Sequence, residues 1–363
     1  MSAFDQDGLI IGVDVGGTKV AAGLVQPDGT ITKQLRVPMA ADGTPQDGFA
    51  SVKTAIDALC SGAATPTIHG IGICSPGPLD PKTGVVINPP NLPCWRDFPL
   101  GAETAKAYGL PVSVDNDANA AGLAEALWGA GSGYRNVFYA TLGTGIGTGV
   151  IFDQQVYHGR TGAAGEGGHM SIDYRGPLCG CGKRGCIEAL ASGPAIARRA
   201  LRKLQESRSV ERRTSPPAGP KDCSSVDSKK SALLLELFAS NPKALTAETV
   251  GRADSAGDPL AHQVLLETIV VLAIWLSNIV DLLEPDVIVL GGGAASLLQP
   301  YLDDLRGQVA DTCLNSRAHE IPLLFARYGA DAGIAGGASL CRQSRQCRQP
   351  DARWQDLSSN APK

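Results

Sequence analysis

The sequence predicts an α/β protein with two domains, and three observations favour this class. Short apolar runs at residues 9–15, 68–74 and 137–142 alternate with longer segments of helical pattern. Two of these runs lead through a glycine-rich turn into a second apolar run, so one strand–hairpin–strand unit occurs twice. The 363 residues are also enough for two domains with substantial cores.

The individual elements follow from hydrophobic periodicity and from turn signals. Strands are expected at residues 9–15, 20–25, 30–37, 68–74, 111–114, 137–142, 150–153, 285–290 and 321–327. Helices are expected at residues 45–59, 118–128, 192–204, 231–239, 256–283, 301–316 and 332–340. Residues 205–230, rich in Ser, Pro and Arg, are expected to form a mobile surface insertion, and residues 346–363 a disordered tail.

Composition argues against several classes of partner. The net charge is −4 and aromatic residues make up 5% of the chain, which disfavours a nucleic-acid surface. The first eight residues lack an apolar stretch, so no signal peptide is expected. The most apolar helix, 264–283, is interrupted by Glu267 and Asp281 and is expected to lie in a core, not in a membrane. Most cysteines are scattered along the chain, which fits a reducing cytoplasm.

Residues 166–188 hold the most specific pattern in the chain, Glu-x-Gly-His followed by Cys-Gly-Cys-Gly-x-x-Gly-Cys-x-Glu. Three thiols and one imidazole in a single loop suit a tetrahedral Zn²⁺ ion, and they are His169, Cys179, Cys181 and Cys186. Four protein ligands leave no open position, so the ion is expected to be structural. The alternative is three unpaired structural cysteines near a surface histidine.

Two carboxylates, Glu166 and Glu188, bracket this loop. A metal ion that holds the loop would also hold both carboxylates, where they would meet a polyhydroxy ligand. His169 would bind the ion through one ring nitrogen and offer the other nitrogen to the same ligand.

Both glycine hairpins are candidates for binding phosphate, because backbone N–H groups in a tight glycine turn receive phosphate oxygens closely. The residues concerned are Gly16, Gly17, Thr18 and Lys19 in the first hairpin and Gly143, Thr144 and Gly145 in the second. Two such turns would hold a polyphosphate from both sides. Asp14, at the end of the first strand, would hold Mg²⁺ directly or through water. A plain hairpin, in which glycine supplies a positive φ, is the alternative for a single turn.

Asp115, Asn116 and Asp117 stand between the strand at 111–114 and the helix at 118–128. In α/β proteins, sites form where a strand ends and a helix begins. A carboxylate there would accept a proton from a substrate hydroxyl as that hydroxyl attacks phosphorus. The alternative is an Asp helix cap, but three such residues exceed what one cap needs.

Two other loops are candidates for ligand contact. Asn91 and Trp95, in a proline-rich loop, suit a sugar hydroxyl and an apolar sugar face, with a structural turn packed by the tryptophan as the alternative. The turn formed by Gly291, Gly292 and Gly293 would let adenine lie on the backbone, with a close helix–sheet contact as the alternative.

Together these motifs resemble the ROK family of repressors, open reading frames and sugar kinases. The resemblance covers roughly residues 9–340, apart from 205–230. The matching motifs are Asp-x-Gly-Gly-Thr-Lys at 14–19, Asp-Asn-Asp-Ala-Asn at 115–119, Leu-Gly-Thr-Gly-Ile-Gly at 142–147, and the Glu-x-Gly-His and cysteine motifs within 166–188.

The resemblance implies an actin-like ATPase fold, of the ribonuclease H-like type, with a cleft between two α/β domains. The expected domains are residues 1–116 with about 328–345, and residues 117–327. Asp117 is implied as the catalytic base. The residues expected to bind the sugar are Gly77, Asn91, Asn116, Asp117, Glu166, His169 and Glu188.

The activity that the resemblance implies is an ATP-dependent hexose kinase. The Asn-Leu-Pro-x-Trp run at 91–95 is most similar to the glucokinases of the family, with N-acetylmannosamine, N-acetylglucosamine or fructose as alternative substrates. The zinc motif favours ATP over polyphosphate as the donor. The alternative of another class is a sugar-sensing regulator, but the helix-turn-helix of family repressors does not fit before a first strand at Leu9. A homodimer or homotetramer is expected, as for many kinases of the family.

Overall fold

A computed structural model describes residues 8–61, 67–214, 233–236 and 245–344. It contains two five-stranded sheets and a two-stranded ribbon. The first sheet has the order β3-β2-β1-β4-β7, formed by β1 (Leu9–Val15), β2 (Lys19–Val25), β3 (Ile31–Pro38), β4 (Ile68–Ser75) and β7 (Val112–Asn116). The ribbon joins β5 (Leu79–Asp80) to β6 (Val85–Val86).

The second sheet has the order β10-β9-β8-β11-β12 and repeats the plan of the first. Its strands are β8 (Asn136–Leu142), β9 (Ile146–Phe152), β10 (Gln155–Val156), β11 (Val287–Gly291) and β12 (Leu323–Phe325). In each sheet the strand before a glycine turn pairs antiparallel with the strand after it and parallel with a later strand. The duplicated unit predicted from the sequence is therefore confirmed.

The described helices are α1 (Pro45–Cys60), α2 (Leu100–Tyr108), α3 (Asp117–Trp128), α4 (Ile187–Ala191), α5 (Gly193–Thr214), α6 (233–236), α7 (Ala247–Ser255), α8 (Pro259–Leu283), α9 (Leu302–Thr312) and α10 (Ala332–Gln343). Four of the described helices, α1, α3, α7 and α8, begin at a side-chain cap. Thr44 and Asp47 form a capping box on α1, and Asp258 caps α8 through the N–H groups of Leu260 and Ala261. Helix α8 alone among the described helices is long and apolar enough to span a membrane, and 61% of its apolar window is buried, as in a core helix.

Each sheet supports its own hydrophobic core. Ile11, Ile73 and Trp95 are fully buried around the first sheet, and Phe138 and Trp275 around the second. Helix α10 packs on β1, β4 and α3, so the C-terminal part of the described chain returns to the first sheet. Its approach is close enough to require glycine in β1 and β4: a Cβ on Gly12 or Gly72 would lie within 2 Å of a carbonyl oxygen of α10.

The chain crosses between the two sheets at two places. One buried side chain, that of Glu125, connects the two crossings. The first crossing leads from β7 into α3, and the second leads from β12 into α10. Glu125 of α3 is fully buried and accepts hydrogen bonds from the backbone N–H groups of Arg327 (2.8 Å), Tyr328 (3.0 Å) and Ala130 (2.8 Å). This carboxylate satisfies backbone donors that the second crossing would otherwise bury unpaired.

Several predicted boundaries were wrong. Helix α5 continues to Thr214, so residues 205–214 of the predicted insertion are helical, while 215–230 lie outside the described residues, as does the predicted tail 346–363. The turn at 291–293 leads into a 3₁₀ helix, Ala295–Tyr301, and not directly into an α-helix. Helices α2, α4 and α7 were missed because they are short and carry weak periodicity.

Candidate active site

The first crossing places Asn116 and Asp117 at the start of α3. Asn116 is the helix cap, since its Oδ1 accepts a hydrogen bond from the N–H of Ala118 at 2.9 Å. Asp117 Oδ1 accepts from the same N–H at 2.8 Å. Because Asn116 already caps the helix, the Asp117 carboxylate is not explained as a cap alone.

The pKa of the Asp117 carboxylate is raised toward neutrality, which suits acid–base chemistry. Asp117 keeps an exposed surface in the cleft, yet enough protein surrounds its carboxylate to desolvate it in part. This desolvation raises the pKa of Asp117 to about 6, and the nearby carboxylates of Asp14 and Glu166 act in the same direction. A carboxylate with a pKa near neutrality and a position in a cleft is a candidate general base.

A cavity of about 140 Å³ opens beside Asp117. Four of the predicted sugar-binding residues line it, and they are Gly77, Asn116, Asp117 and Glu166. Gly77 lies against the cap residue, since a Cβ at this position would be 3.6 Å from Asn116 Nδ2. The cavity is the size of a small polar molecule bound among carboxylate, amide and backbone groups.

The other three predicted sugar residues lie outside this cavity lining. Asn91 is exposed, and its carbonyl oxygen would be 2.7 Å from a Cβ on Gly17, so it lies against the first glycine hairpin. His169 and Glu188 lie at the Cys/His cluster described below. The interpretation of Trp95 as a platform for a sugar face was wrong: its ring is fully buried, stacks on Phe98 with centroids 5.2 Å apart, and donates to the carbonyl of Pro45.

The first glycine hairpin follows Asp14, the predicted Mg²⁺ ligand. In this hairpin the N–H of Gly16 donates to the carbonyl of Lys19 at 2.9 Å, and Thr18 and Lys19 are exposed. Asp14 lies against Gly333 of α10 and receives a weak hydrogen bond from the Cys74 thiol at 3.6 Å. Burial raises the pKa of Asp14. A cation bound here would offset that cost by stabilising the ionised carboxylate.

The second glycine hairpin and the turn at 291–293 lie together. The N–H of Gly143 donates to the carbonyl of Gly145 at 2.9 Å, which closes the hairpin. Gly292 has a φ of +86°, and a Cβ there would be 2.3 Å from the carbonyl oxygen of Leu142. Only glycine fits at this contact, so the two predicted nucleotide-binding segments form one continuous backbone surface.

The predicted zinc ligands converge. One ligand atom from each of His169, Cys179, Cys181 and Cys186 lies within 4.8 Å of the others. His169 Nδ1 is 3.6 Å from Cys179 Sγ, and the Sγ atoms of Cys181 and Cys186 are also 3.6 Å apart. Burial raises the pKa of Cys186 to about 12, so a cation would be needed to hold that sulfur as the thiolate. The donor set and its geometry therefore fit a tetrahedral metal ion.

Glu188 lies between this cluster and the second glycine hairpin. Its Oε2 accepts a hydrogen bond from the N–H of Ile146 at 3.0 Å. Its Oε1 is 3.6 Å from Cys179 Sγ and 4.0 Å from His169 Nδ1. The residue at the start of α4 thus couples the cysteine loop to the strand that leaves the hairpin.

Sequence reasoning missed further polar residues at the cavity: Thr148, which lines it, and His158, which contacts the lining residue Asp115. Thr148 donates through Oγ1 to the carbonyl of Gly165 and accepts from the N–H of Gly167 at 2.9 Å, which fixes the loop before and after Glu166. His158 contacts Asp115, and no local pattern marked it. Thr148 lies in the repeated Gly-Thr-Gly pattern, which was a usable signal.

The fold and the site together define a class. Two α/β units, each built on a strand–glycine turn–strand hairpin, meet at the cleft that contains Asp117. They form an actin-like ATPase fold, and the structural neighbours share it. The family model described as "ROK family" matches residues 10–344, and the chain belongs to the ROK family.

Individual relatives match nearly end to end. A glucokinase of Thermotoga maritima is 33% identical over 334 residues, covering 92% of this chain and 97% of the relative. An N-acetylmannosamine kinase of Citrobacter koseri is 31% identical and covers 92% and 98%. The solved structure of a ROK family glucokinase from Streptomyces griseus in complex with glucose and AMPPNP superposes with a TM-score of 0.73 at 32% identity, covering 93% of this chain and 100% of the other.

Proposed function

We propose that this protein is an ATP-dependent hexose kinase that transfers the γ-phosphoryl group to a sugar hydroxyl, with glucose at O6 as the first candidate. The observation that carries the proposal is Asp117, which lines a small polar cavity and has a pKa of about 6. The curated relatives with kinase names support the reaction class.

In this mechanism Asp117 accepts the proton of the sugar hydroxyl while the hydroxyl oxygen attacks the γ-phosphorus. A new P–O bond to the sugar forms, and the bond between the γ-phosphorus and the β-phosphate oxygen breaks, so ADP leaves with the electron pair. A base with a pKa near 6 is ionised at neutral pH and still able to hold the proton as transfer proceeds. Asn116, Gly77 and Glu166 would orient the sugar from the cavity wall.

The nucleotide would lie on the two glycine hairpins and on the turn at 291–293. The binding residues in this proposal are Asp14, Gly16, Gly17, Thr18, Lys19, Gly143, Thr144, Gly145, Gly291, Gly292 and Gly293. Their backbone N–H groups would receive phosphate oxygens, and the closeness of Gly292 to Leu142 supports a flat surface for the base. Mg²⁺, when held by Asp14, would neutralise charge on the phosphates.

The Cys/His cluster would hold a structural zinc ion through His169, Cys179, Cys181 and Cys186. His169 and Glu188 would then face the sugar from the metal-held loop, and Asn91 from the proline-rich loop that lies against the first glycine hairpin. Domain closure over the sugar would exclude water and limit hydrolysis of ATP. A cytoplasmic homodimer or homotetramer is the expected form of the enzyme.

The test is a coupled ADP-release assay of the purified protein with glucose, mannose, fructose, N-acetylglucosamine and N-acetylmannosamine. The proposal expects the highest kcat/KM with glucose. The Citrobacter koseri relative is named an N-acetylmannosamine kinase. A preference of this protein for an N-acetylated sugar would leave the proposed reaction unchanged and replace glucose as the proposed substrate. Sugar binding without ADP release on any of the five would favour the sugar-sensing regulator instead.

A further inference from the structure

A histidine–aspartate pair lies at one wall of the sugar cavity: Asp115 lines the cavity, and His158 contacts Asp115 from outside the lining. His158 donates through Nε2–H to Asp115 Oδ2 at 2.6 Å, because a carboxylate oxygen can only accept. The Asp115 side chain is 4% exposed and that of His158 is 29% exposed. Asp115 is the second-last residue of strand β7 in the first sheet, whereas His158 follows β10 of the second sheet. The hydrogen bond therefore joins elements of the two sheets.

The other oxygen of Asp115 holds the helix that carries the proposed base. Its Oδ1 accepts from the N–H of Asn116 at 2.7 Å and from Asn119 Nδ2 at 3.1 Å. These two bonds fix the position of the cap residue and of the first turn of α3. Asp117 lies between Asn116 and Asn119 in the sequence, so the orientation of the Asp117 side chain depends on the Asp115 carboxylate.

The backbone of His158 fixes the loop that forms the opposite side of the cavity. Its carbonyl oxygen accepts from the N–H of Ala164 at 3.2 Å, which closes the loop on itself. Residues 162–166 of this loop line the cavity and end at Glu166. His158 is thus bonded by its side chain to one wall of the cavity and by its backbone to the other.

We infer that His158 is a positioning residue for the sugar site, which holds the Glu166 loop against Asp115 and so sets the distance between Asp117 and Glu166. It does not line the cavity itself, and its effect passes through Asp115 and Ala164. This inference rests on the proposed function. It assigns His158 to the sugar side of the reaction, because the nucleotide segments make no described hydrogen bond to His158 or Asp115.

The experiment compares His158→Ala and His158→Gln with the wild type in sugar KM, ATP KM, kcat and melting temperature. His158→Ala removes the His158–Asp115 hydrogen bond and should raise the sugar KM roughly tenfold, since small misplacements of binding groups have effects of this size or larger. The ATP KM should stay within about twofold of the wild-type value. The Gln amide can donate to Asp115 from nearly the same place, so His158→Gln should restore most of the sugar KM. If His158→Ala does not fold, His158→Asn, whose amide is too short to reach, replaces it.

The matched control is His262→Ala. His262 also contacts an aspartate, with Nδ1 3.1 Å from Asp254 Oδ1 and 2.8 Å from the Tyr301 hydroxyl, but it lies on α8, away from the cavity lining. A structural pair of this kind should change the melting temperature without changing the sugar KM.

The outcomes separate the two proposals. An active wild type with a His158→Ala variant whose sugar KM is unchanged, or rises in parallel with the ATP KM, overturns the positioning role alone. A wild type that releases no ADP with any sugar overturns the proposed function instead. In that case, calorimetric titration with glucose still tests the positioning role, because His158→Ala should bind glucose more weakly than the wild type.

Discussion

The Glu188 carboxylate accepts a hydrogen bond from the Ile146 N–H at 3.0 Å while its other oxygen lies 3.6 Å from the Cys179 sulfur. One side chain therefore connects the Cys/His cluster to the strand that leaves the second glycine hairpin. The proposed metal site and the proposed nucleotide site are mechanically joined, and a change at the cluster should be felt at both substrates.

Replacing Cys181 by serine should remove a metal ligand, because the serine hydroxyl is a poor ligand for zinc at neutral pH. Cys181 is exposed, so the change leaves no core cavity. We expect loss of bound zinc measured by mass spectrometry and a stability lower by at least about 1 kcal/mol from lost ligand binding. KM should rise for both hexose and ATP. Cys60→Ser, at the end of α1, is the control and should keep the metal.

The pH dependence of kcat/KM should report the ionisation of Asp117. The base must be ionised, and burial raises its pKa to about 6, so the rate should fall about tenfold per unit as pH drops below 6 and level off above it. Asp117→Asn should lower kcat by roughly 10²- to 10⁴-fold and remove this step in the profile, with sugar affinity by calorimetry nearly unchanged. A fully active Asp117→Asn enzyme would remove this residue from the mechanism.

The same substitution should stabilise the fold. The folded pKa of Asp117 lies above its ordinary value of 3.8, so the folded state binds more protons, and the stability this gives is present at low pH and lost as pH rises through 6. At pH 8 the ionised carboxylate should cost about 1 kcal/mol, a figure discounted for its solvent-accessible side. Urea unfolding of Asp117→Asn should show a gain at pH 8 that disappears near pH 4. An equal gain at both values would contradict the assignment.

Glu125→Gln should destabilise the protein by weakening hydrogen bonds to the backbone of the second crossing, between β12 and α10. The buried carboxylate accepts three backbone N–H groups, whereas glutamine keeps one acceptor oxygen and adds a buried donor. We expect a loss of about 2–4 kcal/mol in the free energy of unfolding, from lost charged hydrogen bonds and unpaired groups. Asp303→Asn is the control, since the Asp303 side chain is 94% exposed and should change stability by less than about 0.5 kcal/mol.

Local chemistry carried much of the prediction. Strands β1, β4 and β8 and helix α1 were placed within about two residues, because their apolar periods and caps are encoded in adjacent residues. The interpretation of Trp95 as a sugar contact was wrong because the position of its ring is not encoded in adjacent residues. Whether a tryptophan faces a ligand or a core depends on Phe98 and on the helix that covers it, and no local pattern shows this.

The sequence by itself determined the duplicated strand–glycine turn–strand unit, the Cys/His cluster proposed to bind zinc and the Asp115–Asp117 run, because each depends on residue type and short spacing. Only the tertiary structure decided that Glu188 joins the Cys/His cluster to a hairpin, that Glu125 binds the backbone of the second crossing, and that His158 bonds to Asp115. These contacts join residues 42, 202 and 43 positions apart. Hydrogen bonds over such separations depend on how the two sheets pack, and packing is a property of the whole chain.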